Sequence, residues 1–208
     1  MNASEALYST RLRERNHATL TVPPARGDNA VMAQIHQPPE VKLICGMISS
    51  QARMFDLAMG PLSDAFGPAD LVSEVMDFDF THYYDAEMAW PLYRKFVSFA
   101  RVVRADVLVQ AKLRTNAIEA DLAGAAGGGP PRPINLDPGY IEASKLVLAS
   151  MKNFSHRIYM GQGVYAEITL MYRKGRWKPL PWTFPDYASP RYHAFLTEAR
   201  MRLRVEET

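Results

Sequence analysis

SHRIYMGQGVYAEITLMYRKGRWKPLP, residues 155–181, is the stretch on which the fold turns. Apolar and polar side chains alternate with the period of two that a half-buried strand needs. Gly161-Gln162-Gly163 and Lys174-Gly175 interrupt the alternation where tight turns belong. The segment reads as a three-stranded meander. Pairing Met160 with Val164 across the first turn sets Tyr159 opposite Tyr165 and Arg157 opposite Glu167. Arg157, Tyr159, Tyr165, Glu167 and Thr169 then share one face. His156, Ile158, Val164, Ala166, Ile168 and Leu170 take the other, apolar face, with His156 at the strand end.

Working towards the amino terminus, residues 145–151 read as a buried strand, and PINLDPGY (133–140) as a tight turn built on Asn135, Asp137, Pro138 and Gly139. Gly124 to Pro133 is a Gly/Pro loop. Ala105 to Ala123 is a helix whose Leu108, Ala111, Thr115, Ile118 and Leu122 recur at threes and fours, with Lys112, Asn116 and Glu119 on a neighbouring solvated stripe. KFVSFARVV (95–103) is a strand. Residues 72–81 alternate as another, with Met76, Phe78 and Phe80 on one side. A helix capped by Ser49 or Ser50 carries Phe55, Met59, Leu62 and Phe66, is weakened in its middle by Gly60-Pro61, a place for a kink or a break, and ends at Gly67-Pro68. VKLICGMI (41–48) is apolar enough for a strand covered on both faces. Towards the carboxy terminus, Ser189-Pro190 starts an amphipathic helix through Leu203. Hairpins concentrated late among mixed helices imply an α+β fold with a mixed, largely antiparallel sheet. Residues 36–208 form one domain behind a flexible extension, 1–35, and Met32 is a candidate alternative start.

The chain of 208 residues carries 24 basic and 22 acidic side chains, a net charge of +2, too balanced to argue for nucleic acid or an anionic membrane. Its single cysteine, Cys45, excludes an internal disulfide and a cysteine-based zinc cluster and is expected as a buried free thiol. The charged start contradicts a secretory signal, and no apolar run spans a membrane, so a cytoplasmic protein is expected. No Walker phosphate loop, dinucleotide fingerprint, nucleophile elbow or zincin helix occurs.

Several constellations remain for chemistry. Arg157 and Glu167 flanked by Tyr159 can orient an anion, because a guanidinium presents forked donors. Asn135 and Asp137 lie just before Lys145, which can neutralise a phosphate or carboxylate. Asp77, Asp79, His82, Asp85 and Glu87 are the oxygen- and nitrogen-rich group that a hard cation would need. LPWTFPDY (180–187) places Trp182 where it can stack on a ligand.

The runs QPPEVKLICGMI, DFDFTHYYDAEM, KFVSF, KLRTNAIE, INLDPGYI, SKLVLAS, HRIYMGQGVYAEITLMY and LPWTFPDY together resemble a prokaryotic family known as domain of unknown function 4416, over about residues 36–190. The resemblance implies a compact single domain and no particular reaction. Members are sometimes labelled GTP-binding, a label that a chain without a phosphate loop does not physically support.

Two functions follow as expectations. The first is a site for an anionic or nucleotide-like small molecule over the late hairpin. Arg157, Lys145, Tyr159, Trp182 and Asn135 would bind, and Glu167, Asp137 or His156 would act as acid or base, with metal ligation the other role open to Glu167 or Asp137. No cofactor or metal is specified. The second is a protein- or RNA-interaction module using the amino-terminal arm and Arg200, Arg202 and Arg204, since nothing in the sequence rules nucleic acid out. Neither reading sets the oligomeric state.

Overall fold

In the computed structural model, strand β1 (Val41–Ser49) is buried at every position. Apolar side chains on both of its faces require neighbours on both edges and layers above and below. The edges are filled by β4 (Tyr93–Val103) and β5 (Asn135–Glu142). The described residues are 36–80, 85–125 and 129–203; the expectations for the extension 1–35, for His82 and for Arg204 lie outside them, as does the side chain of Asp85.

The remaining strands are β2 (Ala69–Val72), β3 (Met76–Asp77), β6 (Lys145–Ser150), β7 (Ile158–Gly161), β8 (Val164–Arg173) and β9 (Arg176–Pro179). They form one sheet in the order β2-β4-β1-β5-β6-β8-β7, with β3 also on β4 and β9 also on β8. Every ladder among the described residues is antiparallel. Both late hairpins form. Because β6 occupies one edge of β8, β7 and β9 lie one after the other along its opposite edge. The second hairpin turn has Lys174 at φ 51° and Gly175 at φ 74°, the pair of positive values that a two-residue turn needs to match strand twist.

Helix α1 (Ala52–Phe66) and helix α3 (Leu108–Ala125) cover one face of the sheet. Leu43, Cys45 and Met47 of β1 pack there against Met54, Phe55, Ala58, Leu62, Ala111 and Ile118. The short helix α4 (Pro185–Ala188) and helix α5 (His193–Met201) cover the other face, where Ile44 and Phe96 meet Tyr187, Tyr192, Phe195 and Leu196. A further helical turn, α2 (Asp85–Met88), contributes Met88 to a small cluster with Ile48, Phe78 and Leu92. At the far end of β1, the buried Lys42 donates to Asp70, which also accepts from Ser98 Oγ at 2.6 Å. No helix among the described residues is long and apolar enough to cross a membrane.

Three local expectations are corrected. Helix α1 runs unbroken through Gly60-Pro61, because its buried stripe outweighs the one backbone bond proline removes, and Gln51, not a serine, stands at its cap position, its side chain making no bond to the helix's first amides. Residues 72–81 do not make one strand; two short pieces, β2 and β3, share the outer edge of β4. PINLDPGY is not a turn but most of β5, at the centre of the sheet. Proline is tolerated there because pairing with β6 begins only at Gly139, one residue after Pro138. Gly139 is required by close approach: a Cβ would stand 2.5 Å from both Val147 O and Leu148 Cδ2.

Candidate functional site

Gly46 interrupts the apolar run of β1, and its missing side chain has a use. It is paired with Phe96 on one side and Asp137 on the other. A Cβ at Gly46 would lie 2.9 Å from Arg94 Nη1 and 3.1 Å from Tyr187 Oη. The bare backbone thus lets the Arg94 guanidinium cross β1 and approach Asp137, Nη1 to Oδ2 at 3.6 Å. Arg94 is 3% exposed and donates from Nη2 to Asp186 Oδ2 at 2.8 Å. Phe78, Phe96, Tyr187 and Tyr192 surround it, with its central carbon 5.0–5.8 Å from their ring centres. Its Nε and Nη1, and the hydroxyls of Tyr187 and Tyr192, are buried without a hydrogen-bond partner.

Asp137 also belongs to a split in the sheet. Strands β5 and β6 pair only from Gly139 to Glu142, so residues 135–138 have no strand on that edge. Helix α3 fills the gap with side chains. Lys112 Nζ donates to Leu136 O at 3.0 Å, and the Leu136 amide donates to Glu119 Oε1 at 2.7 Å. Lys112 Nζ lies 3.8 Å from Asp137 Oδ1, and Asn135 Nδ2 donates to Asp137 Oδ2 at 2.7 Å. Arg132 donates to Glu119 Oε2 at 3.1 Å and to Asn135 Oδ1. Three cations, Arg94, Lys112 and Arg132, therefore interlock with three carboxylates, Glu119, Asp137 and Asp186. The side chains of Asp137, 26% exposed, and Arg132, 31% exposed, open this otherwise largely buried cluster to solvent.

Burial dominates the electrostatics. It pushes the Asp186 and Glu119 carboxyls above their ordinary range, against the pull of Arg94 on the first and of Lys112 and Arg132 on the second. It raises the Tyr187 hydroxyl well above its usual value and pushes Tyr192 up to about 12. Burial alone would lower Arg94, but Tyr187, Asp186, Tyr192 and Asp137 together hold it charged. Burying ions costs several kcal/mol each before pairing returns anything, so stability alone is a weak reason for such a cluster.

The late hairpin carries a second polar cluster. Arg157 Nε donates to Glu167 Oε2 at 2.8 Å, and its Nη1 donates to Ser150 Oγ at 2.8 Å and Lys152 O at 2.9 Å. Tyr159 faces Tyr165 as expected, with Gly161 rather than Met160 opposite Val164. His156 does not take the opposite face: its Nε2 lies 3.1 Å from Glu167 Oε2, because β7 starts at Ile158 and strand alternation does not govern residues before it. Glu167 itself is buried, 3% exposed. Trp182 stacks on His156 at 5.4 Å and 8°, and its indole nitrogen donates to Ile168 O at 2.9 Å.

The structure therefore distributes the expected site residues over three places. Glu167, Arg157, His156, Tyr159 and Trp182 meet on the hairpin, while Asp137 and Asn135 join the β5 cluster. Lys145 pairs with Glu142 at the opposite end of the β5–β6 ladder, so the four charged groups Asp137, Lys145, Arg157 and Glu167 do not share a hollow. Lys112 and Glu119 are not a solvated stripe but the partners of Leu136. Asp79 pairs with Arg191 and Glu87 with Arg132, and no group of three or more metal-ligating side chains gathers among the described residues. Arg94 and Asp186 were not anticipated. Their one sequence signal is Gly46, a glycine in a run otherwise fit for a buried strand.

A family model described as Domain of unknown function (DUF4416) matches residues 39–203. No curated protein and no solved structure matches the chain.

Proposed function

The chain belongs to the DUF4416 family, and we propose that it binds a small anionic ligand where β5 parts from β6. Arg94 and Lys112 supply positive charge, and Asp137 accepts a hydrogen bond from the ligand. The ligand class is a phosphate or carboxylate that also carries a hydroxyl or amine; nucleotide-like molecules belong to it. One observation carries the reading: Arg94 is a buried, ionised guanidinium whose Nε and Nη1 lack a hydrogen-bond partner, with Nη1 3.6 Å from the partly exposed Asp137. A guanidinium in that state is a strong anion receptor, because its desolvation is already complete in the folded protein.

Asp137 competes with any anion for Arg94 and Lys112, which makes the test specific. Two charges about 4 Å apart interact by about 4 kcal/mol near a protein surface. Asp137→Asn should therefore tighten binding of inorganic phosphate at least about tenfold, a part of that energy, while Arg94→Lys should weaken it. Calorimetric titration with phosphate, and thermal shifts with sugar phosphates, hydroxy acids and mononucleotides, measure this. A wild-type protein indifferent to every probe, or an Asp137→Asn variant that binds phosphate no better, overturns the reading.

A second reading, nucleic-acid binding, rests on different residues from those expected. Arg200 is tied to Ala143 O and lies over Tyr172, and Arg202 is tied to Glu198 and Asp70 O. Instead Arg173, Lys174, Arg176 and Lys178 crowd the β8–β9 hairpin, exposed and without an ion pair among the described residues. Binding of a fluorescent RNA that falls steeply with salt would support it.

A further inference from the structure

We infer that two copies of this chain join through β7 into one continuous sheet. In the sheet order β7 is the last strand, and its outer edge is unpaired among the described residues. Its sequence, IYMG, has none of the charges or prolines that keep an edge strand from pairing. Its side chains are uncovered on both faces: Ile158 is 67% exposed, Tyr159 60% and Met160 44%.

The surroundings extend the same surface. Seven of the twelve large hydrophobic residues that stand exposed among the described residues lie in two short stretches beside this strand: Met151, Phe154, Ile158, Tyr159, Met160, Trp182 and Phe184. Their clustering in space follows from contacts already described and a few more. Phe154 and Trp182 both lie against His156, Phe184 lies against Arg157, and Met151 reaches the Gly163 turn. Parity in β8 and β6 puts Tyr159 on the α4 side of the sheet and Ile158 on the α3 side. The apolar strip thus wraps around the strand edge, which is the surface that a continuing strand, with its own side chains above and below, would cover.

The occupant we assign is a second copy. An antiparallel strand edge is self-complementary about a two-fold axis, so identical chains satisfy each other's backbone groups and bring like patch against like patch. The area is of the right order: these exposed fractions, applied to side chains of roughly 200 Å² each, leave about 700 Å² per chain, close to the roughly 800 Å² that each partner gives a standard stable interface.

Sedimentation velocity on the full chain from about 1 to about 100 µM tests the assignment, together with the concentration dependence of the thermal midpoint. The expected result is a discrete dimer, with amides 158–161 more protected from hydrogen exchange as concentration rises. Ile158→Lys with Met160→Lys places charges on side chains that are exposed in the single chain, so the variant keeps the wild-type circular dichroism and sediments as a monomer. A wild-type chain monomeric throughout the range overturns the inference. So does a dimer that survives the double substitution, or one in which residues 158–161 exchange independently of concentration.

Discussion

Glycines 46 and 60 look alike in the sequence and are opposite in their surroundings. Gly46 has Arg94, Phe96 and Tyr187 within 3.1 Å of the position its Cβ would take, whereas Gly60 is exposed within α1 and has nothing within 4 Å. Gly46→Ala forces a packed, charged cluster to shift and should cost about 1–3 kcal/mol, with weaker phosphate binding. Gly60→Ala removes backbone freedom from the unfolded chain, but its Cβ meets the ring of Pro61, the next residue in the helix, so the two effects offset and the change should stay within about 0.5 kcal/mol of neutral. Urea denaturation of both variants decides; equal effects would mean that the Gly46 crossing carries no constraint. The Lys42–Asp70 pair gives the pH dependence. Burial works to raise Asp70, but hydrogen bonds from Lys42 and Ser98 outweigh it and hold the carboxyl below its ordinary range. A lowered carboxylate pKa contributes stability that is present above the ordinary value and lost as pH falls through the folded one. Asp70→Asn should therefore flatten the acid limb of the stability profile. It should also cost about 3 kcal/mol at neutral pH, because Lys42 is left charged and buried. Asp186 and Glu119 act with the opposite sign: their raised values favour folding below the ordinary carboxylate range, and that contribution is lost as pH rises through the raised values.

Among the elements, β5 takes both a donor and an acceptor for its backbone from the side chains of a helix. Strand β6 leaves it at Pro138, and Leu136 then finds its donor and acceptor on α3. Glu119→Ala strands a buried amide and should cost about 1–3 kcal/mol, with Leu136 exchanging its amide hydrogen faster than its neighbours in β1. Glu119→Gln keeps an acceptor oxygen and should lose less. Identical exchange at Leu136 in both variants would show that the bond to α3 is not what protects the strand. The same element shows where sequence reading stops. Asn-Leu-Asp-Pro-Gly has turn composition, and only the tertiary setting makes it a strand: Pro138 sits at the start of a ladder and Gly139 sits against Val147 O. Lys112 and Glu119 read as solvated for a related reason. Helical spacing places them beside the apolar stripe, but nothing in the spacing reveals an unpaired strand edge needing a donor and an acceptor there. By contrast the hairpin pair Tyr159–Tyr165 was legible, because local turn chemistry and a period of two suffice to set it, while Arg157 reaches Glu167 from just before the strand.

Across the whole molecule, the α+β class and the burial of β1 on both faces were readable because they depend on pattern summed over many residues. The cluster around Arg94 was not, because its members come from β4, β5, α3 and α4 and meet only through the strand order. That order makes Cys45 a reporter for the entire fold. It lies in β1 between β4 and β5, fully buried beneath α1 and α3, and burial raises its thiol well above the ordinary range. Both covering layers and both ladders must open before a reagent reaches it, so its labelling should follow global unfolding rather than local fraying. As the single cysteine, it gives an unmixed signal. A disulfide reagent in native buffer should therefore modify it with the denaturant dependence of global unfolding. Phosphate bound beside Gly46, on the opposite face of the same strand, should slow that labelling in proportion to its occupancy. Stoichiometric modification within minutes under native conditions, unaffected by phosphate, would show that β1 opens on its own and that the sheet is not one cooperative unit.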